Sequence, residues 1–159
     1  MRRITPLLVW LQLLLICGCS SLDCPLNSTV YCRYVLAGPV TTLTDTLSVS
    51  TVPEGGADPV VLNSYTDKSD FLLPISYVHP VDVLFFTFTN QTGTIRDTVR
   101  VSKLDQPHFE SIDCAPAYFH TLTSVEWTTH AIDSIIINKS KVTYDTTGGN
   151  LRIYLKSRD

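Results

Sequence analysis

The strongest constraint on the fold is a two-residue rhythm in the middle of the chain that reverses at a turn. Leu84, Phe86 and Phe88 alternate with Val83, Phe85 and Thr87. Asn90-Gln91-Thr92-Gly93 then supplies turn residues, and Ile95, Asp97, Val99 and Val101 alternate with Arg96, Thr98, Arg100 and Ser102. Side chains two residues apart share one face of a strand, so this pattern predicts a β-hairpin. The first of the two strands is apolar on both faces and belongs in the centre of its sheet.

The same rhythm recurs on either side. It predicts strands near residues 30–36, 43–49, 60–65, 71–78, 118–127, 132–137, 142–145 and 151–156. Pro74 marks an edge or a bulge. Asp105-Gln106-Pro107 is expected to break the chain, which resumes at Phe109 and Ile112 and breaks again near Pro116. No stretch has helical periodicity. Glu is found three times and Met only at the start, while Thr and Val are abundant, a composition that suits strands. The expected fold is all-β: one antiparallel two-sheet sandwich over residues 26–159, immunoglobulin-like in general architecture.

The N-terminus reads differently. Arg2 and Arg3 precede an apolar run over residues 7–16, and Ile16-Cys17-Gly18-Cys19 follows. The run is about half the length of a membrane-spanning helix, which favours a cleaved export signal. Cys19 has the small residue Gly18 before it and Ile16 three positions back, the order of a lipoprotein signal with Cys19 as the acylated residue. An ordinary signal peptide cut between Gly18 and Leu22 is the alternative. The organisation is then a leader over 1–18, a lipid-anchored tether over 19–25, and the domain. Several acyl chains on Cys19 give stable membrane attachment. Removing the leader leaves ten basic against fifteen acidic residues, a net charge of −5. Such a chain has no electrostatic footprint for nucleic acid, so none is expected as a partner.

With Cys17 removed and Cys19 acylated, Cys24, Cys32 and Cys114 remain. An odd count in an oxidising compartment implies one disulfide and one free thiol. Cys32 alternates with Val30 and Tyr34 and reads as a buried strand residue. Cys24 precedes the first strand and Cys114 lies at a strand break, so Cys24–Cys114 is favoured among the three pairings. Closing that loop contributes roughly 4–5 kcal/mol in the chain-entropy picture.

Segments spread over the mature chain carry a resemblance. They are Asp23-Cys24-Pro25-Leu26-Asn27, Arg96-Asp97-Thr98-Val99-Arg100-Val101, and most of all His108-Phe109-Glu110-Ser111-Ile112-Asp113-Cys114 with Phe119-His120-Thr121. In these the chain resembles a family of small lipoproteins of unknown function from gut Gram-negative anaerobes. The resemblance implies an envelope lipoprotein of β architecture and supplies no activity. Some such bacteria send lipoproteins to the cell surface on acidic residues just after the lipidated cysteine. One Asp, Asp23, is a weak match, so the periplasmic face of the outer membrane is favoured over the cell surface.

Asp-Ser/Thr-apolar/Thr tripeptides at Thr46, Thr98, Ser134 and Thr146 look like the O-glycosylation sequon of the same bacteria. Four are present where about one is expected by chance. Trp127, Tyr118, Tyr65 and Tyr77 are candidates for a sugar-binding rim, Trp127 and Tyr118 first among them. The four histidines lack a tight metal-ligand spacing, so neither metal nor other cofactor is expected. Asp67-Lys68-Ser69-Asp70 lacks the calcium-loop pattern, and no Gly-x-Ser-x-Gly elbow is present. The expectation is a non-enzymatic envelope protein that attaches to the membrane through its lipid and acts on an envelope protein partner, with a glycan- or ligand-binding module as the alternative and an enzyme third.

Overall fold

The computed structural model describes residues 24, 29–52 and 59–157. The leader, and the tether apart from Cys24, lie outside them. Ten strands follow one another: β1 (Tyr31–Ala37), β2 (Thr46–Thr51), β3 (Val60–Tyr65), β4 (Asp70–Pro74), β5 (Val81–Asn90), β6 (Gly93–His108), β7 (Ala117–Trp127), β8 (Ile132–Ile137), β9 (Lys141–Val142) and β10 (Leu151–Leu155). They form a small sheet ordered β4-β1-β10-β8 and a large sheet ordered β3-β2-β5-β6-β7-β9, which curls into a half-barrel.

The β5–β6 hairpin forms as the alternation requires, in unbroken register from Val81↔Ser102 to Asn90↔Gly93. Its turn is closed by Asn90 Oδ1, which accepts from the amides of Thr92 and Gly93. β5 is central, between β2 and β6. Pro74 ends β4, an edge strand of the small sheet, where its missing N–H costs no ladder bond.

Four local expectations are corrected. The small sheet is not wholly antiparallel, because β1 runs parallel to β10, Tyr34↔Leu151 through Ala37↔Tyr154. A parallel pair needs a long connection, and here nearly the entire domain supplies it. Asp105-Gln106-Pro107 does not break the chain: β6 continues to His108, paired with β7. Beyond Ser102 β6 has no β5 neighbour, so one row of its amides meets no strand and a proline fits. Phe109 and Ile112 are not in a strand. They sit in a loop, 60% and 96% exposed. The expected strand over 142–145 shrinks to the two residues of β9.

The core lies between the sheets. Tyr34 stacks on Phe71 at 5.2 Å, and Phe86 meets both rings edge-on or tilted. Cys32, on the same face of β1, is buried and free, while Cys24 and Cys114 form a disulfide. Burial drives the Cys32 thiol up to about 12, so it is inert at neutral pH.

Two polar side chains inside this core organise the chain around them. Asn150 follows Gly148 and Gly149, both with positive φ, and a Cβ on Gly149 would collide with Val35. Its Oδ1 accepts from the Arg33 amide at 3.0 Å, and its Nδ2 donates to the carbonyls of Lys139 and Lys141. Asp97 points inward from β6 with no exposed surface. Its Oδ1 accepts from the Thr128 hydroxyl at 2.6 Å and the His130 amide at 2.8 Å. Its Oδ2 accepts from the amides of Ala131 at 2.7 Å and Ile132 at 2.9 Å. The segment so held is the crossing from β7 in the large sheet to β8 in the small one. Burial by itself would raise the Asp97 carboxyl, but the Thr128 hydroxyl and the three amides outweigh it and hold it below its ordinary 3.8.

Asp97→Ala leaves several buried donors without an acceptor and is expected to cost about 3–5 kcal/mol, read as a lower urea midpoint. Because the folded carboxyl titrates below the unfolded one, its stabilisation is complete above pH 3.8 and disappears as pH falls through the folded value. A urea series at falling pH checks this, and Asp97→Ala flattens that part of the profile. Alkylation followed by peptide mapping without reductant should leave Cys32 unlabelled in the native protein and labelled in urea. Cys24 and Cys114 should stay linked in both.

Candidate functional site

One end of the two-sheet domain holds a cavity of about 370 Å³ lined by Thr29, Val30, Ile75, Tyr77, Ala115, Pro116, Tyr118 and His120. Four segments build it: the approach to β1, the β4–β5 loop, the loop from β6 to β7 that carries Cys114, and the start of β7. The Cys24–Cys114 disulfide ties the first of these to the third. The Tyr77 and Tyr118 rings stack in parallel at 4.5 Å, 8° from coplanar. Tyr77 is 59% exposed, so the pair offers an apolar face edged with hydroxyls at the mouth.

A displaced pairing explains how Tyr118 reaches this place. The β6–β7 register shifts between Ser102 and Lys103, pairing them with Ser124 and Leu122 and leaving Thr123 unpaired. That bulge re-phases β7, so that Tyr118, His120 and Leu122 share the core-facing side with Val125 and Trp127. His120 is buried with Nδ1 2.6 Å from Asp105 Oδ1, the geometry of an Nδ1–H donating to a carboxylate. Asp105 is its cross-strand partner on β6. The imidazole is thus fixed in orientation at the wall of the cavity.

Behind the cavity lies a second inward charge. Lys103 is buried, and its Nζ donates to the His79 carbonyl and to Asp82 Oδ1 at 3.2 Å. Asp82 Oδ2 accepts from the Ser76 amide. Lys103 and Asp82 therefore hold the β4–β5 loop at both ends, and that loop delivers Tyr77. Burial raises the Asp82 carboxyl above its ordinary value despite the Lys103 ammonium.

The sequence candidates are distributed unevenly over this geometry. Tyr118 lines the cavity, and its partner is Tyr77 rather than Trp127. Trp127 is nine residues further along β7, roughly 30 Å away at the opposite end, where its Nε1–H donates to the Asp133 carbonyl. Tyr65 packs edge-on against Phe71. Thr46, Thr98, Ser134 and Thr146 are all half-buried and lie on β2, on β6, on β8 and in the turn before β10. The Asp of one tripeptide, Asp97, is fully engaged in the core. Cys19 lies outside the described residues. Three histidines pair with carboxylates one to one: His108 with Glu110, His120 with Asp105, His130 with Asp97. Among the described residues no three His, Cys, Asp or Glu side chains converge on a point. No described helix is long and apolar enough to cross a membrane.

The elements of the site that sequence reasoning missed were signalled all the same. Lys103 continues the inward phase of Val99 and Val101, which marks it as a buried polar residue requiring a partner, and Asp105 follows in the same phase where the strand emerges to solvent.

Fold and site together define an all-β, two-sheet domain with an aromatic-capped, disulfide-closed cavity at one end. The chain belongs to a family of unknown function, DUF6452, whose pattern matches residues 41–155. β1 and Cys24 lie before the matched stretch, although β1 is an inner strand of the small sheet. No curated protein and no solved structure matches the chain significantly.

Replacing Lys103 by Met strands the Asp82 carboxylate in the interior and is expected to cost about 3–5 kcal/mol. Lys103→Met with Asp82→Asn together should cost much less than the sum of the two single changes. A double-mutant cycle in urea measures that coupling.

Proposed function

We propose that this chain is a lipid-anchored cell-envelope protein acting as a non-enzymatic accessory or interaction subunit at the outer membrane, on its periplasmic face. Its domain, immunoglobulin-like in general architecture, is the part that meets the partner. The observation that carries the reading is the Cys24–Cys114 disulfide, five positions after Cys19. A disulfide suits an exported protein, and this one locks the chain next to the lipidation signal onto the body of the domain. The two features belong to one design, a short tether with a rigid attachment point.

The interaction reading also draws on the sheet edges. Pro74 limits pairing along β4, whereas β8, the opposite edge of the small sheet, has no proline and exposes Ile136. An extended segment of a partner can add there as a further strand. A second reading is favoured by the Tyr77–Tyr118 stack: a ligand-binding module taking a small ring, such as a sugar, at the cavity mouth.

C-terminal tagging, mild cross-linking and purification from native membranes test the first reading. The expected result is a stoichiometric partner that Cys19→Ser abolishes by freeing the chain from the membrane. Calorimetry against soluble polysaccharides tests the second, with Tyr118→Ala expected to reduce affinity roughly fivefold, since stacked aromatic contacts carry on the order of 1 kcal/mol.

A further inference from the structure

The exposed apolar side chains are distributed asymmetrically. Among the described residues, every large hydrophobic side chain that is exposed, apart from Leu72 and Ile136, lies at the cavity end or on the strand ends leading to it. Ile112 is 96% exposed, and Phe109, Val78, Val60 and Tyr77 are each 59–60% exposed. Ile112 and Phe109 stand in the loop from β6 to β7, two and five positions before Cys114. Phe109 and Ile112, exposed together on one short loop, are the part of this distribution that marks an interaction surface rather than ordinary scatter.

Chain length says what covers it. Five residue steps separate Cys19 from Cys24, at most about 18 Å of extended chain. The disulfide joins Cys24 to Cys114 with 5.5 Å between their Cα atoms. A lipid on Cys19 therefore confines the Ile112 loop to the neighbourhood of the acyl chains. The loop carries no cation: no Lys or Arg occurs between Lys103 and Lys139. Of its two carboxylates, Glu110 is paired with His108 at 3.1 Å, while Asp113 is exposed beside Ile112 and can stay on the water side, which fits a zwitterionic rather than an anionic headgroup layer. Anionic headgroups find no counter-ion here, whereas an isoleucine and a phenylalanine can enter the headgroup–acyl boundary.

We propose that the loop bearing Phe109 and Ile112 is a membrane-contact surface that seats the disulfide end of the domain on the bilayer to which its own lipid anchors it. The proposal rests on the lipid-anchored reading. Two side chains are too weak a contact to recruit a free protein, but the anchor makes the contact intramolecular and so sufficient. It sets orientation rather than attachment: the cavity end faces the lipid, and the Trp127 end faces away.

Ile112→Trp and, separately, Phe109→Trp are introduced into the full lipoprotein, which is purified from membranes and reconstituted in phosphatidylcholine vesicles with brominated acyl chains. Trp127 is the only other indole of the mature chain, and it reports both the fold and the far end. The introduced indole is expected to lose about half its emission or more, equally at low and high salt, while Trp127 keeps its own. If the unaltered chain is absent from the membrane fraction, the anchored reading falls and this proposal with it. If the chain is in the membrane and neither indole is quenched, the proposal alone falls. Blue-shifted but unquenched indoles would mean that a second copy or a protein partner covers the loop, which also overturns it.

Discussion

The arrangement of the two sheets depends on one carboxylate. Asp97 has no exposed surface, and four donors from a single five-residue segment, Thr128 to Ile132, converge on its two oxygens. A carboxylate so fully solvated by protein recovers in charge-assisted hydrogen bonds what it loses in leaving water. No neutral residue of that size can accept from all of them at once. Because the segment is where the chain leaves β7 for β8, its position decides where β8 begins. β8 then places β10, and β10 places β1. The small sheet is hung from the large one at this point.

The same strand secures the other end by the opposite charge. Lys103 lies six residues along β6 from Asp97, on the same inward face, and gathers the β4–β5 loop through Asp82 and the His79 carbonyl. The two sites differ in physics. Asp97 is held below its ordinary pKa by surplus donors, whereas Asp82 is raised by burial that Lys103 does not fully offset. The first is a net stabiliser; the second is better described as a specifier, fixing one loop path at some expense in stability. Since that loop carries Tyr77 to Tyr118, the shape of the cavity is set by a buried ion pair behind it.

What the sequence made legible follows from this. The hairpin, the central β5, the edge at Pro74, and the pairing of Cys24 with Cys114 were all readable, because each depends on local alternation or on a residue's backbone chemistry. The parallel β1–β10 pair was not, since nothing local distinguishes two strands that meet only after the rest of the domain has folded between them. Nor was the meeting of Tyr118 with Tyr77. Tyr118 and Trp127 stand an odd number of residues apart, which places them on opposite faces of a regular strand, and the bulge that brings both inward leaves no mark in the sequence. Pro107 misled for a related reason: a proline stops a strand only when its amide is needed, and here β5 had already ended. Asp97 and Lys103 share the inward phase of Val99 and Val101, but their partners come from loops distant in sequence, which no local pattern names.

The disulfide end therefore carries two features that compete for the same space. The tyrosine stack offers a surface for a ring, and the loop beside it, through Ala115 and Pro116, lines the same cavity. If the anchored reading holds, that mouth opens close to the bilayer, and a large soluble polymer has poor access to it. The molecules best placed to enter are those that travel along or within the membrane surface. That consideration weakens the soluble-glycan reading without touching the cavity itself. It also leaves the opposite end and the open β8 edge as the parts of the domain turned away from the lipid, where a partner in the aqueous phase would approach. On the proposed reading, one short tether would divide the domain into a lipid-facing half and a partner-facing half.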